Sequence, residues 1–186
     1  MLAQRDVWPE RIRPLRRVEY DSLVEGGLLA DSRVELLLGS LVEMTPQGPL
    51  HAEVVARLAA QLIRALPTNV QVRSHSPLAV SEDSEPEPDI AVVPPGDYHR
   101  AHPRRALLVV EVAETSLQKD RGVKTALYAT AEVPEFWLVN LVEKVVEVHR
   151  RPVAGRYADI QHIDRQGQLT PDQFRDVIIR VVDLLP

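Results

Sequence analysis

The sequence predicts an α/β fold, and three observations carry this prediction. A helical period of apolar residues begins at His51, three strand-type segments follow it, and a second helical period precedes a further strand. The order of elements from His51 is therefore α-β-β-β-α-β. With 186 residues, of which 45% are hydrophobic and 26% charged, the chain suits a single domain over residues 1–186 that needs no disulfide or metal merely to fold.

The first elements are an N-terminal arm and a hairpin. Residues 1–29 mix prolines, arginines and acids without a clean period, although "VEYDSLVEGG" predicts a short helix that its two glycines end. In "RVELLLGSLVEMTP", two apolar runs flank Gly39 and Ser40. This pattern is typical of a β-hairpin with a two-residue turn.

The central part of the chain predicts two helices around three strands. The segment "HAEVVARLAAQLIRALP" has apolar residues at helical spacing, and Pro67 ends it. The next three segments are rich in β-branched residues, and we expect the last two to be buried on both faces. Then "SLQKDRGVKTALYATAEV" resumes a helical period, which Pro134 stops. The three strand segments are "VQVRSHSPLAV", "DIAVVP" and "ALLVVEVAE".

The C-terminal part predicts further strands. The segment "EFWLVNLVEKVVEVHRRPVAGRYADIQHI" indicates three strands separated by turns. The last segment is ambiguous, because Pro171 suits a helix start while "VIIRVV" suits a strand. We predict a strand there, so that residues 150–186 would supply the C-terminal strands.

The charge balance limits the partners of the chain. There are 22 basic and 27 acidic residues, a net charge of −5, so the whole molecule has no basic field that attracts nucleic acid over long range. Any phosphate binding would have to be local or assisted by a metal. The absence of cysteine excludes disulfides and thiolate chemistry. The charged, proline-containing start and the lack of a long apolar run predict a cytoplasmic protein with no membrane partner.

Two acidic residues stand where buried strands are predicted. Asp89 begins "DIAVVP" and Glu111 lies inside "LLVVEVA". A carboxylate beside a buried strand needs a charged or hydrogen-bonding partner. If these strands are neighbours, the two acids converge at one end of the sheet and form, with a backbone carbonyl, the oxygen-rich partial shell that Mg²⁺ prefers. Lys124, on the helix that follows, can supply a cation beside an attacking water or a phosphate.

Each of these residues also has a structural interpretation. Asp89 on its own can be the last member of the solvated acidic loop "SEDSEPEP". Glu111 can be the partner of an arginine in a salt bridge. Lys124 alone can pair with Asp120 on a helix surface. His51 alone can simply start its helix.

Two further groups in the sequence are weaker candidates. His99 and His102 lie three residues apart in a proline-flanked loop but lack a third metal ligand nearby. Arg104 and Arg105 are either a local basic patch that meets phosphates or a solvated strand start.

The order of elements, "PD" at Pro88 and Asp89 and "EVA" at Glu111–Ala113 resemble the PD-(D/E)XK nuclease superfamily. More narrowly, Val34–His149 is similar to the Uma-two family of putative restriction endonucleases. The chain departs from the superfamily signature at Ala113, where a lysine is usual, and Lys124 matches the lysine that the family places on the next helix. Further departures from the family pattern are "ETS" after the strand, with the additional acid Glu114, and Asn140 after "WLV". The matching segments are "VELLLGSLVEMTP…H", "PDIAVVP", "LLVVEVAETS" and "DRGVKTALYATAEVPEFWLVN".

The resemblance implies a restriction-endonuclease-like core with a mixed central sheet. It implies that Asp89, Glu111 and the carbonyl of Val112 hold Mg²⁺ or Mn²⁺. Lys124 would be the catalytic cation. Glu35 and His51 match recurring family positions and are possible accessory residues.

The expected activity is metal-dependent endonuclease cleavage of phosphodiester bonds, first of all in DNA, by a homodimer that cuts the two strands with symmetry-related sites. An alternative is a catalytically inactive nuclease-fold module that binds or regulates. A third is hydrolysis of RNA or small nucleotides. The sequence identifies no residue for base recognition.

Overall fold

The computed structural model describes residues 13–185. Helices and strands occupy most of this range. The helices are α1 (Arg17–Glu25), α2 (Pro49–Ala65), α3 (Leu117–Lys119), a π-helical turn (Asp120–Lys124), α4 (Thr125–Thr130) and a 3-10 helix (Val181–Asp183). The strands are β1 (Val34–Leu37), β2 (Ser40–Glu43), β3 (Gln71–Ser74), β4 (Ile90–Val93), β5 (Leu108–Ala113), β6 (Glu135–Asn140), β7 (Val145–Val153), β8 (Arg156–Ile163), β9 (Gln168–Leu169) and β10 (Ile179–Arg180).

A six-stranded mixed sheet forms the centre of the fold, in the order β3-β4-β5-β6-β7-β8. All neighbours are antiparallel except β5 and β6, which run parallel. A parallel pair needs a crossover connection, and α3, the π-helical turn and α4 provide it. The α-β-β-β-α-β order and the mixed sheet confirm the predicted fold class, together with the additional hairpin.

The sheet is covered on both faces, which explains why its central strands are mostly apolar. On one face, α2 packs through Val54, Leu58 and Leu62 against residues that include Trp137. On the other face, Tyr128 of α4 packs against Phe136 and other residues. Every residue of β4 and β5 is buried, as the sequence predicted for these two strands.

The N-terminal region contains the predicted helix and the predicted hairpin. Helix α1 corresponds to "VEYDSLVEGG", whereas residues 1–12 of the expected arm lie outside the described residues. Strands β1 and β2 pair around Leu38 and Gly39, which both have positive φ (+50° and +74°), as a type I′ turn requires. The turn therefore lies one residue earlier than the predicted Gly39 and Ser40. Buried Leu36 connects the hairpin to Glu85 through two backbone hydrogen bonds.

Two predicted strands are shorter than expected. Strand β3 ends at Ser74, because His75 adopts φ +46° and Pro77 lacks an N–H for a ladder. In "VIIRVV" only Ile179 and Arg180 are extended, paired with β9, and the 3-10 helix follows at once. The apolar residues there pack into the core on the α2 face instead of continuing a ladder. No helix of the described residues is long and apolar enough to span a membrane.

Candidate active site

Asp89 and Glu111 lie together at one end of β4 and β5. Ile90 pairs with Val110 and Ala91 with Val109, so the same register continued by one step places Asp89 opposite Glu111 on the same face. Both residues are buried, with 6% and 4% of their surface exposed. Asp89 is thus not a member of a solvated loop. Both acids line a cleft of about 70 Å³, which has room for several water molecules.

Asp89 is held from three sides. Its Oδ2 accepts a hydrogen bond from the backbone N–H of Val112 at 2.7 Å and lies 3.1 Å from Nε2 of His51. Its Oδ1 accepts a hydrogen bond from Nε2 of Gln47 at 3.1 Å. Because β5, the start of α2 and the segment before α2 all contribute a contact, the orientation of this carboxylate is fixed before any ligand binds.

Glu111 shares one oxygen between two donors. Its Oε1 accepts hydrogen bonds from Nζ of Lys124 at 2.9 Å and from the hydroxyl of Tyr128 at 2.6 Å. Burial raises the pKa of Glu111 to about 8. Lys124 opposes this shift, whereas the negative charges of Asp120, Asp89 and Glu35 add to it. The structural interpretation of Glu111 as the partner of an arginine is therefore wrong, because its partner is a lysine.

Lys124 is a buried cation between two carboxylates. Its Nζ lies 2.9 Å from Oε1 of Glu111 and 3.0 Å from Oε2 of Glu35, and 4% of its side chain is exposed. Burial alone would lower the pKa of Lys124, but the charges of Glu111, Glu35 and Asp120 raise it above its usual value. The interpretation of Lys124 as a surface residue paired with Asp120 is wrong, since both residues are buried.

The π-helical turn explains why Lys124 faces the sheet. The backbone N–H of Thr125 reaches the carbonyls of Asp120, five residues back, and Gly122, three residues back, instead of the carbonyl four residues back that a regular α-helix uses. This wider turn places both Asp120 and Lys124 in the protein interior. Such π-bulges occur frequently at functional sites.

Both accessory candidates lie in the same cleft. Glu35 of β1 is fully buried, and its two oxygens contact Lys119 at 2.9 Å and Lys124 at 3.0 Å. Burial opposes its ionisation, but the two lysines lower the pKa of Glu35. For His51, burial would lower the pKa, but hydrogen bonds to the carboxylate of Asp89 and the backbone of Val112 raise it. Glu35 thus connects the hairpin to the lysines, and His51 connects α2 to Asp89.

The cleft contains residues that sequence analysis did not assign to a site. Asp120 is buried, its Oδ2 accepts a hydrogen bond from Ser116 at 2.5 Å, and burial raises its pKa. Tyr128 follows Lys124 by four residues, a helical spacing that could have identified it. The hydrogen bond from Gln47 to Asp89 could not have been predicted, because Gln47 lies in a loop without a periodic sequence pattern.

The other sequence candidates lie elsewhere. His102 is 3.8 Å from Glu85, and His99 is 92% exposed in its side chain; neither lines the cleft. Arg104 is exposed and lies near Glu82 rather than near the two carboxylates. Glu114 is exposed but does line the cleft.

The residues of the cleft suit a divalent cation with oxygen ligands. Among the described residues, six acids and two lysines line it, so negative charge is in excess. No three acidic, histidine or cysteine side chains of the described residues converge closely enough to hold a metal ion by themselves. Two carboxylates and a backbone carbonyl would therefore leave positions for water and substrate, which is the usual arrangement for Mg²⁺. The six acids are Glu35, Glu87, Asp89, Glu111, Glu114 and Asp120.

Comparisons with known proteins agree with this fold. The sequence model of the family described as "Uma2: Putative restriction endonuclease" matches residues 18–181. A crystal structure of a putative nuclease belonging to DUF820, from Anabaena variabilis ATCC 29413, is similar with a TM-score of 0.65 and 16% sequence identity. The similarity covers 81% of this chain and 88% of that chain. No functionally curated protein matches the chain.

Proposed function

Because the chain belongs to the Uma2 family of putative restriction endonucleases, we propose that it is a metal-dependent nuclease that hydrolyses phosphodiester bonds in DNA. The observation that carries this proposal is the meeting of Asp89 and Glu111 with a lysine in one acidic cleft. Asp89, Glu111 and the carbonyl of Val112 would hold Mg²⁺ or Mn²⁺. Such an ion, when bound, activates a water molecule and neutralises charge on the phosphate.

The protein groups around the carboxylates have distinct tasks in this proposal. Asp89 is oriented towards the cleft by the backbone N–H of Val112 and by the side chains of Gln47 and His51. Lys124, 2.9 Å from Glu111, favours the ionised form of that carboxylate and provides positive charge beside the attacking water. The preorganised arrangement lowers the cost of reorienting these groups during the reaction.

The excess of negative charge in the cleft supports metal dependence. A phosphodiester brought next to six acids and two lysines is repelled unless a cation compensates part of the charge. The net charge of −5 for the whole chain gives no long-range attraction that could replace the cation. We therefore expect both nucleic-acid binding and catalysis at this cleft to depend on the divalent ion.

Cleavage of plasmid DNA at low salt tests the proposal. We expect nicking or linearisation with Mg²⁺ or Mn²⁺, and a loss of about 100-fold or more in Glu111→Gln. The matched control is Glu53→Gln, which makes the same chemical change on an exposed side chain of α2. Full cleavage by Glu111→Gln would contradict the proposed site, and parallel reactions with single-stranded DNA, RNA and nucleotides identify the preferred substrate.

A catalytically inactive binding or regulatory module is the second candidate, and the small number of basic residues favours it, since two lysines and no arginine of the described residues line the cleft. Such a module has no need to bind Mg²⁺ or Mn²⁺. Thermal unfolding with and without either ion separates the two, because a stabilisation that disappears in Asp89→Asn and Glu111→Gln indicates a metal site. No cleavage together with no metal-dependent stabilisation would favour the module.

The homodimer expected from the sequence is tested by measuring the molecular mass of the protein in solution.

A further inference from the structure

The two lysines that line the cleft have different surroundings. Lys124 is 4% exposed in its side chain and lies within 3.0 Å of two carboxylates. Lys119, at the end of α3, is 27% exposed in its side chain. Both contact Glu35, but at different oxygens: Lys119 at Oε1 and Lys124 at Oε2.

Lys124 is poorly placed to receive a phosphate. Two of its three N–H groups are directed to Glu35 and Glu111, and the neighbouring charges of three acids neutralise it. A nucleic-acid phosphate would have to replace one of these buried pairs, which leaves an uncompensated buried carboxylate.

Lys119 is better placed than Lys124 to bind a phosphate. Within the described part of the chain, Glu35 is its one salt-bridge partner, at 2.9 Å, so an ammonium group with three N–H donors retains further donors. Its partial exposure keeps the group accessible to a ligand in the cleft. No arginine lines the cleft within residues 13–185, so Lys119 is the accessible strong cation there.

Glu35 fixes the position of this cation. Glu35 is fully buried, is held by the N–H of Glu87 at 3.2 Å, and shares its other contacts between the two lysines. It thus holds Lys119 at the edge of the acidic cleft without exposing its own charge. A long lysine side chain that is anchored in this way loses less conformational entropy when it binds a ligand.

We propose that Lys119 is a substrate-binding residue, whose ammonium group contacts a non-bridging phosphate oxygen of the nucleic acid at the cleft. The proposal rests on the nuclease activity proposed above and adds a residue that contacts its substrate. Glu35 is then a positioning residue for Lys119. The competing interpretation is that Lys119 only compensates the charge of Glu35.

Lys119→Gln and Lys119→Arg test the proposal, with Arg64→Gln as a control that removes one positive charge from an exposed site on α2 outside the cleft. Steady-state cleavage gives kcat and KM. Fluorescence anisotropy of a labelled DNA duplex, with Ca²⁺ in place of Mg²⁺, gives the affinity at several salt concentrations. Thermal unfolding reports whether the loss of the ion pair between Lys119 and Glu35 lowers the stability of the protein.

We expect Lys119→Gln to raise KM and Kd about tenfold with a smaller change in kcat, and to reduce the slope of log Kd against log salt by about 1, as the loss of one phosphate contact does. Lys119→Arg should restore most of the affinity, and Arg64→Gln should behave as the wild type. An unchanged KM and salt slope in Lys119→Gln, with cleavage by the wild type intact, overturns this inference alone. A wild-type protein that neither binds nor cleaves nucleic acid overturns the proposed function and this inference together.

Discussion

Lys124 shows how a charged residue can be stable in the interior of this protein. Its ammonium group is 2.9 Å from Glu111 and 3.0 Å from Glu35, and Asp120 adds a third negative charge. Removing one member of a buried ionic group costs more than the group contributes, because the remaining charges lose their compensation.

Lys124→Met is therefore expected to lower the free energy of unfolding by about 3 kcal/mol at neutral pH. The change keeps the length of the side chain but leaves Glu111 and Glu35 without their shared cation. Urea denaturation measures the effect. Adding Glu35→Gln to Lys124→Met should recover part of the loss, while Arg57→Met at an exposed pair should cost less than about 1 kcal/mol. A Lys124→Met protein as stable as the wild type would contradict this account of the buried cluster.

Glu85 is a second buried acid, outside the cleft. Burial raises the pKa of Glu85 to about 7, the charge of Asp21 adds to the shift, and Arg17, 3.9 Å away, opposes it. Within residues 13–185, its Oε2 has no hydrogen-bond partner. Because the folded state holds the proton more tightly than the unfolded state, Glu85 contributes stability at low pH, and this contribution disappears as the pH rises from about 4.5 to 7.

We predict that the stability difference between the wild type and Glu85→Gln changes in this pH window. Relative to the variant, the wild type should lose about 2 kcal/mol between pH 4.5 and pH 7.5. Denaturation curves at a series of pH values measure the difference, with the exposed Glu82→Gln as control. A difference that is constant with pH, or that grows as the pH rises, is the opposite of the expected result.

At the scale of elements, the π-helical turn between α3 and α4 determines the geometry of the cleft. It brings Asp120 and Lys124 to the interior. Gly122 lies within the turn, and a Cβ at this position would meet no atom from another element of the described residues within 4 Å.

Deletion of Gly122 should convert the π-helical turn to a regular α-helical turn and change the direction of Lys124 relative to Lys119. We expect loss of metal-dependent cleavage with little change in helix content by circular dichroism. Gly122→Ala is the matched control. It should retain activity and gain up to about 1 kcal/mol of stability, because alanine favours a helix over glycine. Retained cleavage after the deletion would show that the wide turn is not needed for the site.

The elements differ in how well the sequence predicted them. The apolar spacing of α2 and the apolar runs of β4 and β5 identified these elements directly. The acid just before β4 and the acid inside β5 made Asp89 and Glu111 the candidate site residues. Glu35 and His51 became candidates through the family resemblance alone, since nothing in their local pattern is unusual. Asp120 and Lys119 were not assigned to the site, because a local helical pattern does not reveal a π-helical turn.

The C-terminal segment illustrates the same limit. Its run "VIIRVV" has strand propensity, but Val177, Ile179 and Val181 become buried by packing on the α2 face of the sheet. That packing requires only two extended residues, Ile179 and Arg180. Propensity describes how well a residue fits a strand. The length of this strand depends instead on its packing against core residues that are distant in the sequence.

At the scale of the whole molecule, charge distinguishes this protein from one that binds nucleic acid by a basic surface. The net charge is −5 and the cleft itself has more acids than lysines. The order of the sheet strands and the parallel pairing of β5 with β6 bring Asp89, Glu111 and the π-helical turn to this cleft. The proposed nuclease activity requires a cation in this cleft, so the binding of that cation is the central claim.

Calorimetric titration of Mn²⁺ into the wild type and Asp89→Asn tests this claim most directly. The substitution keeps the size of the side chain and the capacity of its oxygen to accept the hydrogen bond from Val112. We predict saturable binding to the wild type that is weakened at least about tenfold in Asp89→Asn and unchanged in the control Glu53→Gln. Equal binding by the wild type and Asp89→Asn, or no binding by either, would contradict the account.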